Sequence, residues 1–329
     1  MGLRTAFTSP SRSVSLTLNF GILELNFKHT MMWLGRSVRN CCSLSVTSQH
    51  RLQNAHFLRF KTQTTFHNKQ IKVEYLQGES EGIVIFTMAR FDARNALGKQ
   101  FMQEFGGALK EVQATSNVRV LIIRSTVPKV FCAGADLKER LQMSEAEVAA
   151  TVNELRTTFT ALEQLTMPTV AAIEGAALGG GLELALPCDF RIAGREARFG
   201  FPETSLAIFP GAGATQRLPR LIGLSRAKNL IYTGRQIDAD EAEAIGLVDD
   251  VTDADGSFDR AIQLAHEILP KGPIGIRMAK EAIMKGYGMD LWSTHAFERA
   301  CYAQVISTKD RLEGLQAFRD KRKPNYKGE

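Results

Sequence analysis

This 329-residue chain is short of several things, and each shortage narrows what it does. No run reaches 18 apolar residues, so the sequence predicts no membrane-spanning helix. Acid is nearly missing from residues 1–73, which hold ten of the 41 Lys and Arg but only Glu24 of the 35 acids, a balance of +9. Residues 74–329 hold 31 bases against 34 acids, a balance of −3. The net +6 therefore belongs to the leader, and no nucleic-acid partner is expected from it. Cysteine is scarce too. Cys41 and Cys42 lie in the leader, and Cys132, Cys188 and Cys301 are odd in number and lack metal-type spacing. A reduced compartment, no structural disulfide and no metal site follow. Cys132 borders a glycine turn without a recognisable histidine partner and reads as a small buried residue. No G-x-x-x-x-G-K-[ST] phosphate loop occurs, and the glycines do not form G-x-G-x-x-G after a strand.

What remains is ordinary for a folded protein, with 44% apolar and 23% charged residues. The first sixty or so residues are rich in Ser, Thr and spaced arginines, the composition of an organelle transit peptide. A mitochondrial matrix address is expected, with chloroplast or peroxisome as alternatives; the terminal Tyr-Lys-Gly-Glu is not Ser-Lys-Leu. A disordered basic arm, or a leader upstream of a start at Met31 or Met32, is the bland alternative. The expected organisation is a transit peptide over 1–65, an α/β core over 66–260 and a helical region over 261–329.

Period and punctuation place the elements. Ile71 to Leu76 and Gly82 to Met88 read as strands, and Arg90 to Asn95 as a turn. Leu97 to Val112 carries Leu97, Phe101, Phe105, Leu109 and Val112 on one helical face. Val118 to Ile123 is nearly all apolar and β-branched, as in a strand covered on both faces. Ser144 to Leu165 reads as a helix, opened by Ser144 and Glu147 as a capping box and stopped by Pro168. Thr169 to Ile173, Cys188 to Ala193 and Ala197 to Gly200 read as strands or extended pieces. The later helices are expected at Ser225–Tyr232, Asp240–Ala244, Phe258–Ile268, Pro273–Lys285 and Leu291–Phe318.

Chemistry gathers at Leu178-Gly-Gly-Gly-Leu-Glu183. A glycine turn between a strand and a helix start leaves unpaired N–H groups where an oxygen could become negative. Glu183 stands in an apolar segment, where a carboxyl group is expensive to bury. The bland alternative is a packing turn with a solvent-facing glutamate.

Three further pieces share this character: Phe131-Cys-Ala-Gly-Ala-Asp-Leu-Lys-Glu139, Phe199-Gly-Phe-Pro-Glu203 and Pro210-Gly-Ala-Gly-Ala-Thr-Gln-Arg217. In this order and spacing the four resemble the enoyl-CoA hydratase/isomerase (crotonase) superfamily, over about Ile71 to Glu329. Cys301-Tyr-Ala-Gln304 and Thr308-Lys-Asp-Arg-Leu-Glu-Gly314 look like its mitochondrial methylglutaconyl-CoA hydratase branch. The resemblance implies a spiral of ββα units with a C-terminal helical trimerisation region, assembled as a trimer or dimer of trimers. It implies syn addition of water to a 2-enoyl-CoA thioester, in fatty-acid or branched-chain amino-acid breakdown. Catalysis would fall to Glu183 and Glu203, and the oxyanion donors would be the backbone N–H groups of Ala135 and Gly180. CoA contacts would come from Arg94, Ala133, Asp136, Leu137 and Lys138. No cofactor is implied, because CoA is part of the substrate.

The alternatives are a 3-methylglutaconyl-CoA hydratase, a double-bond isomerase and a homologue that binds CoA or RNA without catalysis. Keeping both glutamates favours hydration over isomerisation. The helix after Leu97 has only Lys99 and Lys110 against Glu104 and Glu111, so RNA binding is not carried over. Two departures stand out: Gly213-Ala-Thr-Gln216 replaces Gly-Gly-Thr-Gln, and Pro187 threatens to end the Glu183 helix early.

Overall fold

The computed structural model describes residues 62–67 and 70–329. The transit-peptide expectation lies outside them, except that strand β1 (Thr62–His67) spans the boundary expected at residue 65.

A hairpin-like pair opens the body. β1 and β2 (Ile71–Leu76) run antiparallel, and β2 pairs antiparallel with β3 (Ile83–Met88). After β3 the chain climbs a spiral whose turns each give one strand to a large sheet and one to a small sheet. The first turn is β4 (Val120–Ser125) then β5 (Val130–Cys132). The second is β6 (Thr169–Ile173) then β7 (Ala176–Leu178). The third is β8 (Phe190–Gly194) then β9 (Arg198–Gly200), and β10 (Gln236–Asp238) and β11 (Asp250–Thr252) close it. The large sheet runs β1-β2-β3-β4-β6-β8-β11, and the small one β10-β9-β7-β5. From β3 to β11 the large-sheet pairs are parallel, as are β5–β7 and β7–β9.

Helices fill the turns. α1 (Lys99–Ala114) follows β3, and α2 (Leu137–Arg140) and α3 (Glu145–Glu163) follow β5. α4 (Gly180–Ala185) follows β7, and α5 (Ala214–Ile222), α6 (Leu224–Thr233) and α7 (Ala239–Ala244) follow β9. α8 (Ser257–Ile268), α9 (Pro273–Gly286), α10 (Leu291–Ile306) and α11 (Lys309–Arg319) complete the chain. No described helix is long and apolar enough to cross a membrane.

Period-two alternation in the all-apolar strands explains why they are buried on both faces. Val84, Phe86, Leu121 and Ile123 face one core with Phe131, Ala177 and Phe199 of the small sheet and with α1 and α3. Ile83, Ile85, Val120 and Ile122 face a second core, closed by Ala261, Ile262 and Ala265 of α8. α8 thus crosses the boundary expected at 260 and belongs to the packing of the core.

Three details differ from the sequence reading. Leu97 precedes α1, because its backbone N–H donates to Gly134 O at 2.8 Å and ties it to the turn after β5. The single helix expected over Leu291–Phe318 is two, since the Thr308 side chain accepts from Arg311 N and starts α11 afresh. The strand expected from Cys188 begins at Phe190, because the Asp189 carboxylate is drawn aside to Thr169 and Lys280. The capping box does form, with Ser144 and Glu147 exchanging hydrogen bonds.

Candidate active site

Three loops leave the carboxyl ends of β5, β7 and β9, neighbouring parallel strands of the small sheet. In parallel sheets that is where ligand-binding crevices open. The loops bring Ala133–Asp136, Gly179–Gly180 and Phe201–Glu203 side by side.

The first two loops interlock through backbone alone. Gly134 has φ +93°, and a Cβ there would stand 2.7 Å from Leu178 O and 3.3 Å from Gly180 N. A Cβ on Gly180 would stand 3.6 Å from Ala135 N, so the Ala135 and Gly180 N–H groups border one spot. The lone parallel bridge pairs Leu97 with Ala135, which sends the Leu97 bonds to the residues flanking Ala135 and turns the Ala135 N–H away from it. Gly180 is the first residue of α4, where N–H groups have no intrahelical acceptor.

Gly179, at φ +52°, is the N-cap of α4, and a Cβ there would lie 2.5 Å from Glu203 Oε1. The glycine is therefore the gap through which Glu203 reaches the turn. Glu203 sits in a 3-10 turn (Pro202–Leu206) opened by proline at its first position. Burial drives its pKa up to about 7; the Glu183 charge adds to the rise, while its own N–H and Arg140 oppose it. Glu203 Oε2 is buried and has no hydrogen-bond partner among the described residues.

Glu183 is 4% exposed, inside α4. Its Oε1 accepts from Ala212 N at 2.8 Å and from Ala214 N at 2.9 Å, at the start of α5. Burial still raises its pKa, against those N–H groups and the charge of Arg217. Arg217 is itself fixed by Glu163 at 2.7 Å. Pro187 does not disturb this arrangement, since α4 ends at Ala185 with Glu183 already placed. The Ala214 of the altered Gly213-Ala-Thr-Gln216 piece serves through its backbone N–H, which any non-proline residue supplies.

The residues expected to touch CoA lie around the first loop. Ala133, Leu137, Lys138 and Arg94 are exposed, with Arg94 left-handed at φ 51° and its carbonyl accepting Ala133 N at 3.1 Å. Asp136 is engaged within the protein: it caps α2 through Glu139 N at 3.1 Å and pairs with Arg90 at 2.8 Å. Burial pushes its pKa up, but these hydrogen bonds outweigh it and hold the carboxyl below its usual value.

Sequence reasoning missed Arg90 and Asn95, which brace the loop. Arg90 also donates to Ala96 O at 2.6 Å. Asn95 is fully buried at φ 54° and donates to Phe131 O at 2.9 Å and Ser125 Oγ at 2.8 Å. Its burial and left-handed backbone show only in the fold, and its partners, 30 and 36 residues on, leave no local trace. Cys132 is buried as expected, with its thiol pushed up to about 12 by desolvation.

Comparison with known proteins gives the family. The enoyl-CoA hydratase/isomerase family model matches residues 78–329. Human mitochondrial methylglutaconyl-CoA hydratase is 49% identical over 264 residues, 79% of this chain and 78% of that protein. Human mitochondrial enoyl-CoA hydratase domain-containing protein 2 is 49% identical over 263 residues, 79% of this chain and 90% of that protein. The crystal structure of an enoyl-CoA hydratase from Bacillus anthracis superposes with a TM-score of 0.76 at 49% identity, over 79% of this chain and all of that one. The two-sheet spiral, its interlocked glycine turns and these matches together place the chain in the enoyl-CoA hydratase/isomerase, or crotonase, family.

Proposed function

We propose that the protein adds water syn across the double bond of a 2-enoyl-CoA thioester, giving the 3-hydroxyacyl-CoA. The observation that carries this reading is the meeting of two carboxyl groups, Glu183 and Glu203, at a turn where two backbone N–H groups border one spot. In this reading the thioester oxygen lies against the N–H groups of Ala135 and Gly180. Glu183 takes a proton from water as the water oxygen bonds to Cβ. The double-bond electrons move onto the thioester oxygen, and the N–H pair stabilises that enolate; one such donor is worth ~2.7–4 kcal/mol in acyl transfer. Glu203 then delivers its proton to Cα. Proton exchange between the two carboxyls and solvent resets the pair, which titrates as a unit. Every atom comes from water and substrate, so no cofactor enters.

Arg94, Ala133, Leu137 and Lys138 are the proposed CoA contacts, with Asp136 acting from its capping position. Relatives named for mitochondria and the basic leader support a mitochondrial matrix protein. Exposed apolar side chains on α9–α11, including Trp292 at 86% and Phe318 at 85%, support assembly as a trimer or dimer of trimers. A second reading, 3-methylglutaconyl-CoA as the substrate, is favoured by the relative of that name.

The test offers crotonyl-CoA and 3-methylglutaconyl-CoA separately and follows loss of the conjugated thioester absorbance. Turnover is expected, falling ~10²–10⁴-fold in Glu183→Gln and in Glu203→Gln. No turnover of either, with CoA-ester binding intact, would sink hydration of these substrates and favour isomerisation or a binding role.

A further inference from the structure

The loop that grips Glu183, Pro210-Gly-Ala-Gly-Ala214, has little side chain with which to hold itself. Arg217 supplies the hold. Gly213 has φ +123°, and a Cβ there would overlap Arg217 Nη1, so the glycine leaves room for the guanidinium to lie against the loop. Nη1 donates to Ala212 O at 3.2 Å. Ala212 thus meets Glu183 through its N–H and Arg217 through its carbonyl. The same guanidinium makes a two-pronged contact with Glu163 at the end of α3, Nε to Oε1 at 2.9 Å and Nη2 to Oε2 at 2.7 Å. Nη2 also reaches Thr160 Oγ1 at 3.3 Å, and only 14% of the Arg217 side chain is exposed. A forked, largely buried pair fixes an arginine in a way that no lysine could match. Burial raises the Glu183 pKa, and the Ala214 and Ala212 N–H groups and then the Arg217 charge oppose it. Glu203 on the 3-10 turn is the acid that feels Glu183. The other arginines nearby are turned to backbone, Arg156 of α3 to Gly211 O at 2.8 Å and Arg220 of α5 to Gln216 O at 2.7 Å.

We propose that Arg217 is a positioning residue for hydration, clamped by Glu163 so that it holds the Ala212–Ala214 loop and keeps its positive charge beside the loop that grips Glu183. The inference rests on the hydratase reading above and deepens it. A general base must be ionised when water arrives, and a buried carboxylate is ionised only where donors and a cation offset its burial. α3 thereby reaches the reacting carboxylate through two side chains, Glu163 and Arg217.

The test follows hydration of crotonyl-CoA against pH in the full chain and in Arg217→Gln, Arg217→Lys and Glu163→Gln. In Arg217→Gln the limb along which kcat/KM rises with pH should move to higher pH, and kcat should fall about 10–100-fold. KM should stay near the parent value, since the proposed CoA contacts lie on another loop. Arg217→Lys keeps the charge without the fork, and should return the limb toward its parent position with part of kcat. Glu163→Gln leaves the charge and loosens the clamp, and should lower kcat without moving the limb to higher pH. An unmoved limb in Arg217→Gln overturns the inference. Should that variant fail to fold, as thermal unfolding would show, the other two carry the test, and parental kcat in both overturns it. Infrared difference spectra of the Glu183 carboxyl, assigned by its loss in Glu183→Gln, follow the same titration without turnover. A parent that hydrates nothing, with Glu183 titrating higher in Arg217→Gln, would remove the hydratase and leave the Arg217 role at Glu183 standing. Equal titration in the two overturns the inference whatever the reaction.

Discussion

At the scale of single residues, the two glutamates differ in how they are held. Glu183 is gripped by two backbone N–H groups at the head of α5, whereas Glu203 keeps one carboxyl oxygen buried without a partner among the described residues. The first arrangement suits an ionised base and the second a group that carries a proton. With its pKa near 7, Glu203 as the acid predicts that kcat/KM for hydration falls as pH rises above about 7. A pH profile without that limb would remove Glu203 from the proton-donating role. The same shift bears on stability. The folded pKa lies above the ordinary 4.5, so the native state binds the proton more tightly, and stability is lost as pH climbs from 4.5 to about 7. Glu203→Gln should therefore raise Tm more at pH 8 than at pH 5, by an amount equivalent to roughly 1–2 kcal/mol after allowing for partial solvent screening. Gly179 gives a steric counterpart. Gly179→Ala would put a methyl against Glu203 Oε1 at φ +52°, and is expected to lower kcat at least ~100-fold while costing about 1–2 kcal/mol in backbone strain. Wild-type turnover in that variant would show the gap to be unnecessary.

At the scale of elements, the longer pieces could be read from period and caps, and the shorter ones could not. α1 and α3 show apolar faces and α3 a capping box; β3 and β4 each open with four apolar residues in a row. β5, β7 and β9 are three residues each, too short to show a period, yet they carry the site loops. The glutamates and glycine turns were readable because their residue types are unusual where they stand. Arg90 and Asn95 were not, since an arginine in a polar stretch looks solvated and an asparagine there looks like a turn residue until the fold shows their distant partners. The break between α10 and α11 was missed because a threonine N-cap inside an apolar-periodic stretch is a weak mark. Thr308→Ala should cost about 1 kcal/mol and lower Tm by a few degrees. An unchanged Tm would mean that packing, not the cap, sets the break.

At the scale of the whole molecule, α9–α11 and their caps present apolar side chains that the described residues do not cover, among them Tyr287, Leu291, Trp292 and Phe318. Replacing Trp292 and Phe318 together by serine is expected to shift the mass in light scattering from an oligomer toward the monomer. A parent protein that is monomeric at micromolar concentration would refute assembly through this face.

Because β5, β7 and β9 are neighbours in one sheet but belong to successive turns of the spiral, no site loop can open without tearing a strand from the other two. The amides of Ala176 and Gly179, which donate to Lys129 O and Gly200 O and so tie these turns together, should then exchange with deuterium at one common rate, set by the opening of the sheet as a single unit. The enzyme would hold its reacting groups in register with no closing lid, and a destabilising change in any one turn would speed exchange at both.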